Sequence, residues 1–494
     1  MKYDVIIIGS GLGGLECGYI LSKKGYNVCV LEKNPQLGGC LQSFCRDGVT
    51  FDTGFHFVGG LGEGQFLHKL FRYFDLLDLP WHKLDEEAFA EVVMEDKSYL
   101  FASGHDRFVD TLVKDFPHQQ RQLKQYAEFL KGVGDSLGNN FYAKEEGFLH
   151  SPLLSCSAHD FLQQTIDDPL LRNVLSGASL TMELCPDKLP LYIFAQINNS
   201  FIQSAWRLRG KSSLIADKLA QSIRQMGGTV ITQSEVSRLV EESGRITVVE
   251  CKNGQQIEGK HIISNIHPAR TLSLISQSRS IRNIYRKRIT DLPNTCGMFT
   301  VHLKLKPNII PYKNRNIYLY KDGNPWDYCQ YSPKPNKRAV LINYQVPDTG
   351  ETFTRNIDLL MPMHWEEVSK WENTSIEHRG EEYGLFKRQK AEEIIAMATD
   401  KIPELKDAIE QYYTSTPLTY RDYTGTWNGS AYGIGKDYSR LLFTMLSPQT
   451  QIPNLLLTGQ NLNFHGILGV SMTSILTCGK LAGMENLARE ILSN

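Results

Sequence analysis

The sequence predicts an α/β protein in which a doubly wound, Rossmann-like nucleotide-binding domain is joined to a mixed α+β domain. Three observations carry this. The chain opens on a β-branched run, a glycine-rich turn, a helical pattern and a second strand that ends on an acid. It closes on another strand–glycine–helix unit, from Leu455 to Leu492. Between these ends lie helical segments and alternating strands, and 494 residues are too many for one simple core.

The first strand, Val5-Ile6-Ile7-Ile8, has the composition of a strand buried on both faces. It breaks into Gly9-Ser10-Gly11-Leu12-Gly13-Gly14, and a helix follows with Leu15, Tyr19, Ile20 and Leu21 on its buried face, stopping near Gly25. Gly9 permits the tight turn, Gly11 lets a pyrophosphate approach the backbone, and Gly14 lets helix and strand pack closely. The helix N-terminus offers unpaired N–H groups and partial positive charge to phosphates. The second strand, Asn27 to Glu32, places a carboxylate 18 residues beyond Gly14, where it accepts from a ribose 2′-OH and disfavours a 2′-phosphate. Lys33, Gly38, Gly39 and Cys40 continue the cradle. A lone GxGxxG is weak, but the strand–turn–helix–strand–acid context is the one that confirms it. Read alone, this stretch fits FAD, NAD or a bare ADP-ribose, against an ordinary βαβ unit with an incidental glycine turn.

Bulk properties exclude several classes. Lys+Arg total 53 and Asp+Glu 54, so nothing points to nucleic acid. No apolar run reaches the roughly 18 residues of a transmembrane helix, and the early first strand leaves no room for a signal peptide. Ten cysteines without a CxxC pair imply no metal site and a reducing, cytoplasmic setting. Cys40 is the one thiol placed to be reactive; Cys29 reads as a buried free thiol.

Phe51 to Gly60 (FDTGFHFVGG) is either a core strand with a turn or a segment beside a cofactor ring, with Gly54 permitting close contact. Residues 64–204 read as mainly helical, with helices at 66–77, 106–137, 157–166 and 169–179. The aromatic stretch Leu189 to Phe201 is core, the wall of an apolar tunnel, or a membrane contact. A helix at 212–226 leads to strands at 229–232, 235–241, 246–252 and 256–263, the last pair joined by Asn253-Gly254, a hairpin signal. Strands at 295–305, 316–321, 327–332 and 338–346 form a sheet with one face to solvent and one to a ligand. Helices follow at 351–371, interrupted by Pro362, and at 383–400. Residues 417–435 read as a loop, and a strand at 455–457 leads to a long helix at 469–492.

The C-terminal unit supplies a second helix N-terminus at Gly466-Ile467-Leu468-Gly469-Val470-Ser471-Met472. Such a terminus stabilises negative charge on the N1–C2=O edge of a reduced flavin; an ordinary capped helix is the other possibility. The cradle with GGCLQSF (38–44), FDTGFHFVGG (51–60), IISNIHPARTL (262–272) and LLLTGQNLNFHGILGVSMTSILTCGKLAG (455–483) resembles the phytoene desaturase and retinol saturase family of FAD-dependent oxidoreductases. The His56 form and Gly-Gly-Cys resemble the retinol saturase branch more. The resemblance covers nearly the whole chain, with its specific motifs in the FAD-binding parts.

It implies FAD as cofactor, an FAD-binding domain assembled from 1–63, 205–290 and 415–494, and a substrate domain from 64–204 and 291–414. Gly9, Gly11, Gly14 and Glu32 would hold the ADP moiety and the Val236 backbone would face the adenine. Gly459 and Gln460 would lie at the ribityl chain and pyrophosphate, and Val470, Ser471 and Met472 would present N–H groups to the flavin. Many relatives carry an acid where Gln460 stands, and some flavoenzymes carry Arg where Cys40 stands, so no arginine clamp is assumed.

The chemistry expected is hydride exchange between flavin N5 and one carbon of an apolar polyene, carotenoid- or retinoid-like, with a proton exchanged at its neighbour. Saturation and desaturation are its two directions, and isomerisation on reduced flavin is a third outcome. His56 falls two residues after Gly54 on the same strand face and is the first candidate proton donor or acceptor, with His465 the second; each is otherwise a structural histidine. Phe57, Trp427 and Tyr432 are candidate substrate-lining residues, and Tyr423 could join an aromatic wall. An amine oxidase-like enzyme and a prenyl-lipid carrier of the GDP-dissociation-inhibitor type share this fold. A substrate so apolar suggests peripheral membrane contact. With one GxGxxG unit, the electron partner is a quinone, oxygen or another protein.

Overall fold

The computed structural model describes residues 2–143, 151–321, 324–329, 331–332 and 339–493. Among them, seven strands form a sheet around the chain's first strand. Lys2–Ile8 lies between Val28–Leu31 and Gln256–Ser264, with Thr229–Ile231 outside the former and Leu455–Leu457 pairing the C-terminal half of the latter. All these pairings are parallel. Arg245–Cys251 and Val236–Glu242 complete the sheet in antiparallel fashion. Helices Leu12–Lys23, Ser213–Gln225 and Gly466–Ala482 cover one face and bury Val5 and Ile7, while Ile6 packs on the other face with Val249 and Ile257; all three are 0% exposed. Burying each such side chain contributes about 1.5–3 kcal/mol.

A second sheet of seven strands runs Ile409–Ser415, Gly297–Leu305, Asn356–Met363, Ala339–Tyr344, Asn316–Tyr320, Ala90–Met94, Lys97–Phe101. Its odd-numbered Val301, Leu303, Ile357 and Leu359 pack with Ala391, Ile394 and Ala398 of the helix Gly380–Lys401. The expected solvent face is therefore covered by a helix. The opposite face, with Met298, Leu341 and Leu360, looks into the cavity described below.

Several expectations needed correction. Residues 356–363 form a strand where a helix over 351–371 was expected. The short apolar stretch Leu359-Leu360-Met361 does not separate the two, and Pro362 is tolerated because pairing with Ala339–Tyr344 ends at Leu360. The expected strand 327–332 is a short 3-10 helix, Pro325–Cys329, where described, and residues 330 and 338 lie outside the described part. The stretch 64–204 also contains the hairpin Ala90–Met94/Lys97–Phe101, turned by Glu95 and Asp96 at φ 51° and 61°. That pair of left-handed residues carries no Asn-Gly signature. The expected helix 106–137 is two helices, His105–Val113 and Gln120–Ala143, parted near Pro117. The expected loop 417–435 contains a helix, Pro417–Thr424. Thr416 caps it, Pro417 stands at its first position and Gly425 at its end has φ 77°. The last helix breaks at Gly483 into Gly466–Ala482 and Met484–Ser493.

Candidate functional site

The carboxyl ends of the parallel strands open onto one cavity of about 710 Å³, the edge at which open α/β sheets take ligands. Each strand passes a loop to its wall. Gly9, Gly11, Leu12 and Gly13 follow Ile8, and Glu32 and Lys33 follow Leu31. Val236 comes after Ile231, Asn265 after Ser264, and Gly459 with Gln460 after Leu457. Gly38, Gly39, Cys40 and Gly54 line the same end, joined by Gly469, Val470 and Met472 of the C-terminal helix.

The cradle admits no side chains. A Cβ on Gly14 would sit 2.1 Å from the Gly9 carbonyl oxygen, so Gly14 lies behind the wall and seats the helix on the strand. A Cβ on Gly13 would lie 3.1 Å from Gly459 Cα, so the two chain ends meet backbone to backbone. Asn265, which the sequence reading quoted but gave no role, is wedged between them. Its side-chain atoms would stand 2.8 Å from a Cβ on Gly11 or Gly13 and 2.4 Å from one on Gly459. Glu32, 5% exposed, is fixed by three donors: Ser10 N at 3.0 Å and Ser10 Oγ at 2.6 Å on one oxygen, Asn34 N at 2.9 Å on the other. These bonds tie the second strand's end to the glycine turn, and the carboxylate keeps lone pairs for a ligand hydroxyl.

Glu16 is the largest omission of the sequence reading. It sits mid-helix at 0% exposure, accepting from Ser471 Oγ at 2.5 Å and Ser474 Oγ at 2.9 Å. Burial pushes its carboxyl up to about 8 against the two serine hydroxyls that lower it. A Glu in the first helix after a glycine turn looks like a solvated charge, and only the docking of the C-terminal helix against the first helix reveals its partners.

The C-terminal helix begins at Gly466, three residues before the expected Gly469. Its unpaired N–H groups therefore belong to Gly466, Ile467 and Leu468, all in the cavity wall. Those of Val470, Ser471 and Met472 fall inside the helical hydrogen-bond ladder, a correction to the expected flavin contacts. Ser471 turns its hydroxyl to Glu16, away from the cavity. Gly54 makes its close approach to Cys40, whose Cβ and carbonyl oxygen would lie 3.2 Å from an added Cβ. Burial raises the Cys40 thiol, which disfavours a reactive thiolate.

The other end of the cavity is apolar, walled by Leu137, Ile193, Ile197, Phe201, Leu341 and Leu360. The aromatic stretch is a helix there, Leu191–Gln203, with one side turned to the cavity. Phe57 joins this chamber and packs on Phe201 with ring centroids 4.9 Å apart. Tyr432 packs on His465 at 4.7 Å and donates to the Leu180 carbonyl at 3.3 Å. Trp427 also lines the cavity. It stacks on His267 at 5.0 Å and packs on the core containing Ile8, Leu31 and Val236, at the nucleotide end. Tyr423 is 48% exposed and outside the wall. His56 and His465 both line the cavity, and burial lowers each to about 4, so both rings are neutral near pH 7.

These residues fit FAD. The glycine cradle would bring backbone to a pyrophosphate, Glu32 would accept from a ribose hydroxyl, and the N-terminal residues Gly466, Ile467 and Leu468 of the C-terminal helix line the same cavity. Thr426 Oγ1, Ser430 Oγ and Asn461 Oδ1 are buried wall atoms with no protein partner, as ligand-facing groups would be.

Known proteins agree with this geometry. Residues 12–351 match the family described as flavin containing amine oxidoreductase. The chain is similar to all-trans-retinol 13,14-reductase of Rattus norvegicus, 26% identical over 99% of this chain and 87% of the relative. It is also similar to prolycopene isomerase 2, chloroplastic, of an Oncidium hybrid cultivar, 22% identical over 97% of this chain and 84% of the relative. Among solved structures, cyclohexylamine oxidase from Brevibacterium oxydans shares the fold with a TM-score of 0.61 at 15% identity, covering 99% of each chain. These relatives lie in the retinol saturase-like branch to which the sequence motifs point. FAD is the cofactor and the protein is an FAD-dependent oxidoreductase, which displaces the lipid-carrier alternative. Matched from residue 12 to residue 351, over more than half its length, the chain belongs to the flavin containing amine oxidoreductase family.

Proposed function

We propose that the enzyme moves hydrogen across carbon–carbon double bonds of a long apolar, carotenoid- or retinoid-like polyene, as a saturase or desaturase. One observation carries this. The cavity that begins at the glycine cradle continues into a chamber of aliphatic and aromatic side chains, and the acidic residues of its described wall, Glu32 and Glu235, lie at the nucleotide end. An ammonium substrate would find no carboxylate in that chamber, whereas a polyene needs none. The retinol reductase and prolycopene isomerase relatives support the same substrate class.

When bound, FAD supplies the two-electron step at N5. The protein's part is to align the polyene between Phe57, Phe201, Leu341 and Leu360, to exclude water, and to exchange a proton at the carbon beside the one that reacts. His56 is the group we assign to that exchange. It reaches the apolar chamber, and its neutral ring suits a proton acceptor or relay. Gly9, Gly11, Gly13, Glu32, Val236, Gly459 and Gln460 hold the cofactor in this reading.

The amine oxidase alternative has one feature in its favour, the half-buried Tyr420 and Tyr432 in the wall. Aerobic incubation with simple amines and with a polyene panel separates the two. Polyene products changed by two daltons without peroxide from amines support our reading. Peroxide from amines and unchanged polyenes would reject it, and a mass-neutral geometric isomer would select the isomerase.

Among the described residues no helix is long and apolar enough to cross a membrane. The short helix Leu441–Thr444 nevertheless leaves Leu442 88% and Phe443 54% exposed, an apolar tip suited to peripheral contact with a bilayer that holds the substrate. Changing both residues to Asp should abolish co-flotation with liposomes at unchanged FAD content. Flotation equal to wild type would remove this patch from membrane contact.

A further inference from the structure

The cavity-facing side of the second sheet is apolar at Met298, Leu341 and Leu360, yet it carries one buried titratable cluster. His302 and Asp358 are direct cross-strand partners, with side chains 1% and 3% exposed. Cross-strand partners stand on the same face of a sheet, and His302 Nδ1 lies 2.7 Å from Asp358 Oδ1. His302 Nε2 lies 3.2 Å from Oγ of Ser415, on the strand at the sheet's edge. The other oxygen of Asp358, Oδ2, is 3.9 Å from Nδ1 of His56, a buried nitrogen with no hydrogen-bond partner.

We propose that Asp358 and His302 are positioning and relay residues for His56, so that Ser415, His302, Asp358 and His56 form one proton path from the sheet edge into the cavity. The inference rests on the proton-exchanging role assigned to His56 above.

The surrounding groups are committed elsewhere. Asp52 is held by Ser43 and by the backbone and hydroxyl of Ser212. Arg207 is held by Tyr312, Asn316 and the Arg315 carbonyl, and the Tyr420 hydroxyl pairs with Thr300. Asp358 is the carboxylate left within reach of His56 Nδ1. Hydrogen-bond contact requires a closing movement of about 1 Å, of the size by which loose catalytic contacts tighten on substrate binding.

Burial in this apolar setting penalises a charged imidazole and holds His56 neutral above about pH 4. A relay meets that constraint, because a proton arrives at one ring nitrogen as another leaves the second. In the saturating direction the His56 Nε2–H bond breaks and its proton goes to the substrate carbon. An N–H bond forms at Nδ1 with the proton released from Asp358 Oδ2. Asp358, which enters this cycle as the acid with its proton on Oδ2, takes a replacement on Oδ1 as the His302 Nδ1–H bond breaks, and His302 Nε2 gains a proton from the Ser415 Oγ–H, which solvent water replaces. Desaturation reverses every transfer. The electron pair moves in the hydride step alone, so this path carries protons only.

The test uses full-length holoprotein with ¹⁵N-labelled histidine. Signals lost in His56→Gln and in His302→Gln identify the two rings. Asp358→Asn should move both sets, and His302→Gln should move those of His56. With a polyene that turns over, Asp358→Asn and His302→Gln should lower kcat at least tenfold at unchanged KM and FAD content. Both should also diminish the solvent deuterium isotope effect, and Asp358→Glu should recover part of the rate. If Asp358→Asn does not fold, His302→Gln decides alone. Unmoved His56 signals, or an unchanged kcat, would overturn the proposal. Absence of turnover with any polyene would reject the substrate reading, and the ring signals would still decide the coupling.

Discussion

Replacing Glu16 by Gln tests how the two ends of the chain are joined. In the native protein this carboxyl holds its proton up to about pH 8, whereas the ordinary value is 4.5. Between those values the folded state binds a proton that the unfolded state has released, so stability falls as pH rises. Each pH unit is worth about 1.4 kcal/mol, which amounts to about 3 kcal/mol lost at pH 7 and on the order of 5 kcal/mol by pH 8. Below pH 4.5 the penalty vanishes, because both states are protonated. Gln has the same shape, accepts from one of Ser471 and Ser474 and donates at its amide, but does not titrate. The assay is thermal unfolding of wild type and Glu16→Gln by circular dichroism from pH 5 to pH 8, read as the difference between the two proteins. The variant should match wild type near pH 5 and exceed it progressively, by several degrees, at pH 8. Parallel curves across this range would refute the claim that a neutral, buried Glu16 couples the helices.

Other outcomes follow from the same geometry. Gly14→Ala places a methyl group 2.1 Å from the Gly9 carbonyl oxygen. Purified protein should then retain less than about a tenth of the wild-type flavin absorbance, because the phosphate-binding turn must open. His56→Ala should keep FAD and lower turnover at least about tenfold, measured by product formation. Because burial holds His56 near 4, its titration should give the wild-type rate no inflection between about pH 5 and 8. Arg207→Met leaves the Arg315 carbonyl and the Asn316 side chain without their buried donor and should destabilise by about 2–4 kcal/mol in urea unfolding.

The parts of the site set by local chain chemistry were readable in advance. The glycine spacing at Gly9, Gly11 and Gly14 and the acid at Glu32 depend on a single strand–turn–helix–strand unit. Gly459 depends on another, and the structure brings Gly9, Gly11, Glu32 and Gly459 to one cavity, with Gly14 behind its wall. What escaped depends on contacts across hundreds of residues. Glu16 is explained only by Ser471 and Ser474, Asn265 only by the glycines it touches, and Asp358 only by its register against His302. Short apolar stretches such as Leu359 to Met361 serve helix or strand equally, so period alone did not fix the second sheet. The direction of Trp427 within the cavity wall was not legible, because an aromatic residue in a glycine-rich loop has no periodicity to give it. Asn428 and Gly429, both at positive φ, turn the chain and leave Trp427 on His267.

The most direct test of the central claim is an anaerobic spectral titration of the yellow holoprotein, oxidised and chemically reduced, with a panel of retinoid and carotenoid polyenes. The account predicts bleaching of the oxidised flavin or reoxidation of the reduced flavin by at least one polyene. The spectral change should be stoichiometric with a product altered by two daltons, and should be slowed in His56→Ala. Unchanged spectra in both redox states with every polyene, together with bleaching by simple amines, would contradict it.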